Sequence, residues 1–242
     1  MNQRLNIAII GYGKMGKMIE QAAISKGHAI ACIIEQDSND EDWSKLKNAE
    51  IAIEFTQPHS AVSNIYKCFE YKVPVVVGTT GWYDRYDEVA KKCEEMNGSL
   101  FTATNFSIGV NLFFHINKLL AKSMNHLPEY SVEIEEIHHT QKKDSPSGTA
   151  ISIAQGIIEN IGRLNNWELS NNEIKEGVLP INAIRQDEVP GTHFVKYCSD
   201  IDCIELKHKA HNRTGFAIGA IIAAEWSFNK TGCFKMDDLI GF

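Results

Sequence analysis

Residues Glu133 to Thr149 read EIEEIHHTQKKDSPSGT and pack two adjacent histidines against two lysines. His138 and His139 stand together, and Lys142 and Lys143 follow within one turn. A histidine changes charge near neutral pH and can pass a proton, and a lysine brings positive charge and a second proton donor. Ser145-Pro146-Ser147-Gly148-Thr149 reads as a helix start, with serine capping the open amides and proline suited to the first turn. Open amides at a helix start bind anions. Proton donors beside an anion cradle suit a reaction in which an anionic substrate must be protonated. The plain alternative is a solvated basic turn. Lys142 and Lys143 cannot both enter one pocket at low cost, so Lys142 is expected inward and Lys143 in solvent.

A second constellation lies at the N-terminus. The apolar run Leu5–Ile10 leads directly into Gly11-Tyr12-Gly13-Lys14-Met15-Gly16, a helical stretch to about Lys26, a second apolar run Ala29–Ile34, and Glu35. Strand, Gly-x-Gly-x-x-Gly, helix, strand and acid in this register form the dinucleotide fingerprint. Gly11 permits the tight turn, Gly13 admits a pyrophosphate against the backbone, and Gly16 lets helix and strand pack closely. Glu35 would accept hydrogen bonds from the adenosine ribose hydroxyls. Further on, Val73–Val77 ends in Gly78-Thr79-Thr80-Gly81, a loop at the carboxyl end of a strand, where parallel sheets meet ligands. An ordinary strand-to-helix turn is the alternative there.

These residues need elements to position them. Up to Gly109 the chain alternates strand and helix: Ile51–Phe55, a helix from Pro58, Val73–Val77, helical spacing over Trp82–Asn97, and Leu100–Thr104. That pattern predicts a Rossmann-type, doubly wound parallel sheet. Beyond Gly109 it changes. A helix is expected over Asn111–Asn125 with Leu112, Ile116, Leu119 and Leu120 inward, then a half-exposed strand over Tyr130–Ile137 and a helix over Thr149–Ile161. Asn165–Glu176 reads as a polar surface loop, and strands follow over Ile181–Arg185, His193–Cys198 and Cys203–Lys209. The fold class is therefore α/β, with a second α+β domain on an open mixed sheet whose uncovered face makes oligomerisation plausible. Phe216–Trp226 is apolar nearly all round, which places it as a buried helix against the first domain. The domains are expected as 1–108 with 215–242, and 109–214.

With 242 residues, 43% hydrophobic and 23% charged, the chain suits a globular enzyme. A net charge of −7 gives no nucleic-acid footprint and no polybasic membrane signal, so an anionic substrate would need a locally basic pocket. No apolar run approaches the roughly 18–20 residues of a membrane span, and the N-terminus has no signal-peptide layout. The six cysteines show no CxxC spacing, and reduced, buried thiols in a cytoplasm are expected. His193, His208 and His211 read as sheet-surface histidines. A zinc site is the weaker alternative for the histidines, because no pair has i, i+4 spacing around a catalytic acid; no metal is expected.

Together these residues resemble the 4-hydroxy-tetrahydrodipicolinate reductase family, also called dihydrodipicolinate reductase. The resemblance covers the whole chain. It includes Gly11–Gly16, Glu35, Phe55-Thr56-Gln57-Pro58, Gly78–Gly81, Asn105–Asn111 (NFSIGVN), and above all E-I-H-H-T-Q-K-K-D-S-P-S-G-T from Glu136 to Thr149. The last is similar to the family motif E-x-H-H-x-x-K-x-D-x-P-S-G-T. The resemblance implies reduction of 4-hydroxy-tetrahydrodipicolinate, a small cyclic dicarboxylate, with NADH or NADPH in lysine and diaminopimelate biosynthesis, by a cytoplasmic homotetramer. It implies His138 as proton donor and acceptor, Lys142 as second proton donor, and His139, Gly148 and Thr149 as substrate binders. Cofactor contacts are implied at Gly11, Gly13, Lys14, Met15, Gly16, Glu35, Gly78, Thr79, Thr80, Ala103, Thr104, Asn105 and Phe106. Gln36 stands where NADP-using members often carry Arg, so NADH is expected to serve at least as well as NADPH. Arg213 is a further candidate contact. The rival readings are another two-domain nicotinamide dehydrogenase of an amino-acid precursor, and a nucleotide sensor without turnover.

Overall fold

The computed structural model describes residues 3–170 and 175–241. In chain order the elements are β1 (Asn6–Ile10), α1 (Lys14–Ser25), β2 (Ala29–Ile34), α2 (Asp40–Ser44), β3 (Ile51–Glu54), α3 (Pro58–Glu70), β4 (Val75–Val77), α4 (Tyr86–Glu95), β5 (Ser99–Thr102), α5 (Ile108–Met124), β6 (Ser131–His138), α6 (Gly148–Ile158), β7 (Asn166–Leu169), β8 (Val178–Arg185), β9 (Thr192–Cys198), β10 (Cys203–Lys209), α7 (Thr214–Ser227), β11 (Gly232–Phe234) and α8 (Met236–Ile240). They form two compact units, 1–108 with 214–242, and 109–213.

The first unit is built on a six-stranded sheet in the order β11-β5-β4-β3-β1-β2, with every pair parallel. Its strands are apolar on both faces because both faces are covered. Ile7 and Ile9 point to the side of α1 and α7, and Ala8 and Ile10 to the other side with Ala61, Val62 and Ile65 of α3. The period of two thus sorts one strand into two cores. In α7, Ala217, Gly219, Ala220, Ala223 and Ala224 are all buried. Small residues permit close approach: a Cβ at Gly219 would come within 1.8 Å of the Phe106 carbonyl oxygen. At its far end Glu225 pairs with Lys26 (2.9 Å) and His28 (3.0 Å).

The second unit carries a five-stranded mixed sheet, β10-β9-β6-β8-β7. β6 runs antiparallel to β9 and parallel to β8. Val132, Ile134, Leu179, Ile181, Val195 and Tyr197 form one face and pack with Ile153, Ala154 and Ile157 of α6 and with Phe113, Ala121 and Met124 of α5. The register of β6 sends Glu133 and Glu135 away from that core.

Four details correct the sequence expectations. α5 turns a different stripe inward: Val110, Phe113, Asn117, Ala121 and Met124 are buried, while Leu112, Ile116 and Leu119 are exposed. Only Leu120 of the expected set packs on the core. The reason is Asn117, whose Oδ1 accepts from the Tyr197 hydroxyl (3.1 Å) and whose Nδ2 donates to the Ile153 carbonyl (3.4 Å). A satisfied amide can be buried where sequence polarity argues against it. Second, Asn166–Leu169 is not part of a loop but strand β7, paired with β8; residues 171–174 of the expected loop lie outside the described residues. Third, the β9–β10 hairpin sets Cys203 opposite Cys198, and the two form a disulfide. Fourth, Cys233 is exposed, whereas Cys32, Cys68 and Cys93 are buried.

Candidate active site

In the first unit all strands are parallel, so the loops after β1, β2, β3, β4 and β5 leave from one edge of the sheet. The three glycines of the first loop have three separate reasons to lack a side chain. Gly11 has φ +92°, and its Cβ would meet the Phe55 carbonyl oxygen at 2.1 Å. A Cβ at Gly16 would meet the Gly11 carbonyl oxygen at 2.1 Å, whereas one at Gly13 would meet nothing within 4 Å. Gly13 precedes α1, whose N-terminus has no side-chain cap, and open amides at a helix start bind anions. Lys14 is exposed and Met15 half-buried. Glu35 follows β2 directly and is exposed.

A cleft of about 370 Å³ is lined by Met15, Phe55, Thr56, Gln57, Pro58, Gly78, Thr79 and Thr80. It joins the glycine loop to the loops after β3 and β4. A Cβ at Gly78 would fall 2.0 Å from the tip of the Phe55 ring, so a larger residue there would have to displace that ring. Thr79 is buried; its hydroxyl accepts from the Thr56 amide at 2.7 Å and its carbonyl accepts from the Trp82 indole at 2.8 Å. Beneath them Glu54 is fully buried and accepts from the Thr56 hydroxyl and from Asn64 Nδ2 (3.3 Å). Burial pushes its carboxyl pKa up, against those hydrogen bonds. After β5, Ala103 and Phe106 are buried, Thr104 is exposed, and Asn105 Oδ1 accepts from the Ser107 amide at 2.9 Å.

The second unit assembles a polar cluster at the end of β6. Ile134, Glu136 and His138 share one strand face, so the core stripe runs straight into a fully buried carboxylate and a buried imidazole. Register places His193 of β9 opposite Glu136 and Arg185 of β8 opposite His138. Glu136 accepts from the Ser147 amide at 3.0 and 3.2 Å. His138 Nδ1 lies 3.5 Å from Glu136 Oε2, His193 Nε2 3.7 Å from the same oxygen, and Arg185 Nη2 3.5 Å from Oε1. Burial alone would push Glu136 up, but hydrogen bonds from His193 and Ser147 and the nearby His138 hold it down at about 2. Burial pushes His138 down to about 4 against the opposing pull of Glu136. The expectation of a histidine titrating near neutrality is thereby corrected for the ligand-free protein: desolvation outweighs the carboxylate.

Ser147 caps α6, its Oγ accepting from the Ala150 amide at 3.1 Å, and Gly148 opens the helix. Pro146 therefore sits before the cap and not in the first turn. The amides of Gly148 and Thr149 have no intrahelical acceptor, and a Cβ at Gly148 would meet nothing within 4 Å. Lys142 is half-buried and Lys143 exposed. The partner of Lys142 is Asp144, with Nζ 2.8 Å from both carboxylate oxygens. That ion pair holds the Asp144 carboxyl below its ordinary value, against a smaller effect of burial. His139 Nε2 lies 3.4 Å from Arg213 Nη2.

Sequence reasoning passed over two members of this cluster. His193 is no surface histidine: it is buried, with Nε2 3.3 Å from Ser147 Oγ. Arg185 was not singled out, although an arginine ending a strand next to a buried acid is a readable signal. Glu136, His138 and His193 offer ligand atoms within 4.8 Å of one another, a closer grouping than their sequence spacing suggested. Yet Glu136 already accepts from Ser147 and faces the Arg185 guanidinium, so the local charge disfavours a further cation.

The fold is shared with a structure of GenD2 from gentamicin A biosynthesis in complex with NAD (TM-score 0.61, 11% identity, 98% of this chain and 90% of that one). A dipicolinate-bound dihydrodipicolinate reductase from Paenisporosarcina sp. TG-14 shares the fold with a TM-score of 0.81 at 22% identity, over 96% of this chain and 98% of that one. Family models match both parts: dihydrodipicolinate reductase, N-terminus, over residues 5–106, and dihydrodipicolinate reductase, C-terminus, over 109–240. A 4-hydroxy-tetrahydrodipicolinate reductase of Christiangramia forsetii is 46% identical over 98% of each chain, and one of Neisseria gonorrhoeae is 31% identical over 98% of this chain and 97% of its own. The chain belongs to the dihydrodipicolinate reductase family and is an oxidoreductase that uses a nicotinamide cofactor.

Proposed function

We propose that this chain converts 4-hydroxy-tetrahydrodipicolinate to tetrahydrodipicolinate with NADH or NADPH, one hydride and one proton being added and the 4-hydroxyl leaving as water, in lysine and diaminopimelate biosynthesis. The observation that carries the reading is a buried histidine, His138, whose neighbour Glu136 binds the capping amide of the anion-ready α6 start. Full-length relatives bearing this activity's name support the substrate. When bound, the cofactor supplies a hydride to an unsaturated ring carbon. The chain's own part is to hold the dicarboxylate and deliver a proton. Gly148, Thr149 and His139 bind carboxylate oxygens, and a carboxylate about 4 Å from a cation gains roughly 4 kcal/mol at an effective dielectric near 20, before desolvation. His138 is the proton donor and acceptor, and Lys142 the second donor. Gly11, Gly13, Lys14, Met15, Gly16, Glu35, Gly78–Thr80 and Ala103–Phe106 contact the cofactor.

In this reading residues 1–108 with 215–242 form the dinucleotide domain, and 109–214 bind substrate and mediate assembly. A cytoplasmic homotetramer is the proposed working form. The apolar side chains that α5 leaves exposed, and the sheet face opposite the core of the second unit, are surfaces that assembly would cover. The test of the substrate site is inhibition by pyridine-2,6-dicarboxylate, a flat dicarboxylate. Competition with substrate supports the reading. Competition with the cofactor instead would remove Gly148 and Thr149 from substrate binding.

A further inference from the structure

Among the described residues Glu136 is the most deeply buried carboxylate of the second unit, and it stands outside the proton-transfer and substrate-binding groups. An isolated buried carboxylate costs several kcal/mol, so one that continues a core-facing stripe needs compensation. Its compensation comes from three directions: the Ser147 amide at the start of α6, Arg185 of β8, and His193 of β9. The remaining neighbour is His138, whose Nδ1 is buried, has no hydrogen bond, and finds Glu136 Oε2 at 3.5 Å. At the other ring nitrogen the chain runs through Gly191, where a Cβ would stand 3.1 Å from Nε2. The ring therefore has a carboxylate at Nδ1 and a residue without a side chain beside Nε2.

We propose that Glu136 is the positioning residue for His138, fixing its neutral ring as the Nδ1–H tautomer and locking that ring to the helix start that receives the substrate. An ionised carboxylate only accepts, so the proton must sit on Nδ1, which leaves Nε2 as the nitrogen that exchanges a proton with substrate. The 3.5 Å separation is longer than a hydrogen bond, as catalytic contacts often are before substrate binds. Because Glu136 also accepts from Ser147, movement of the α6 start is transmitted to the imidazole through one rigid group. The carboxylate further stabilises the imidazolium form whenever His138 holds a second proton. His138 is otherwise faced by His193, Lys142 and Arg185, all of which oppose that charge. Glu136 is thus the one group among these that favours it.

This inference rests on the reading of His138 as the proton-transfer group, and its test separates the two. In Glu136→Gln one carbonyl oxygen remains for the Ser147 amide, but the charge is gone and the amide can donate to the ring. Ring-nitrogen NMR of the full-length protein should show His138 as the Nδ1–H tautomer in the wild type and as mainly Nε2–H in Glu136→Gln. Turnover should fall roughly 10–10²-fold, while pyridine-2,6-dicarboxylate affinity stays within about threefold. In a His138→Gln background the same change should cost less than about threefold in kcat, because the residue it positions is already absent. Glu136→Asp, which keeps the charge, should keep the wild-type tautomer and recover part of the loss; it also serves if the Gln variant folds poorly. An unchanged tautomer, or losses that multiply fully in the double variant, would overturn the proposal. Full turnover by His138→Gln alone would sink the role of His138, and the tautomer would still decide whether Glu136 holds the ring.

Discussion

Burial keeps His138 uncharged at neutral pH, so it gives up a proton only after acquiring one. A dicarboxylate arriving beside it adds negative charge and raises its pKa. Binding of pyridine-2,6-dicarboxylate near pH 7 should therefore take up a fraction of a proton, read by calorimetry in buffers of differing ionisation enthalpy. His138→Gln should abolish the uptake; the same uptake in that variant would assign the proton elsewhere. The depressed pKa also bears on stability. The unfolded chain binds a proton at His138 below about 6.5 and the folded chain only below about 4, so stability falls as pH drops through that window. The contribution is on the order of 3 kcal/mol. Glu136, held at about 2 against an ordinary 4.5, adds a loss of the same sign further into acid. Melting temperature should thus fall more steeply between pH 6.5 and 4 in the wild type than in His138→Gln. For catalysis, His138→Gln and Lys142→Ala should each lower kcat by roughly 10²–10⁴-fold with cofactor affinity nearly unchanged. Near-normal kcat in either would remove that residue from proton transfer.

Two loops show how elements divide stability from binding. Gly16→Ala forces a methyl against the Gly11 carbonyl and should destabilise the first unit by about 1–3 kcal/mol. Gly13→Ala meets no protein atom, so its melting temperature should hold while cofactor affinity falls roughly tenfold or more, where the methyl blocks the pyrophosphate. A Gly13→Ala protein that bound cofactor normally would move the pyrophosphate away from this loop. At α6, Thr149→Val should weaken pyridine-2,6-dicarboxylate by about 1–2 kcal/mol through one lost hydrogen bond. The glycine loop, β1 and β2 were legible in the sequence because apolar runs, glycines and the acid fall at fixed spacings along one segment. Other features depend on residues distant in the chain. Asn117 is core only because Tyr197 and Ile153 satisfy it. β7 is a strand because β8 supplies its ladder, and Gly232–Phe234 is one because β5 does. Cys198 and Cys203 meet through the β9–β10 register. His193 and Arg185 join the site through pairing across β9 and β8, which no local pattern displays.

The whole chain carries −7, yet His138, His139, Lys142, Arg185 and Arg213 gather in the second unit. An acidic molecule with a local basic cluster can hold a small dianion without attracting polyanions. Among the described residues no helix is long and apolar enough to cross a membrane. In the first unit Glu35 directly follows β2 with Gln36 beside it, and a carboxylate there favours free ribose hydroxyls over a 2′-phosphate. NADH should accordingly be used at least as well as NADPH. A preference for NADPH above about tenfold, or roughly 1.4 kcal/mol, would show that a cation such as Lys14 recognises the phosphate. Lys14→Ala would then lose activity with NADPH selectively. The central claim joins a nicotinamide-binding unit to a unit that protonates a cyclic dicarboxylate. Its most direct test is the oxidation of NADH by the purified full-length protein, with and without 4-hydroxy-tetrahydrodipicolinate generated in place. The account predicts rapid oxidation that requires the substrate and collapses in His138→Gln. Tight cofactor binding with no substrate-dependent oxidation in the wild type would contradict it and mark the protein as a nucleotide sensor.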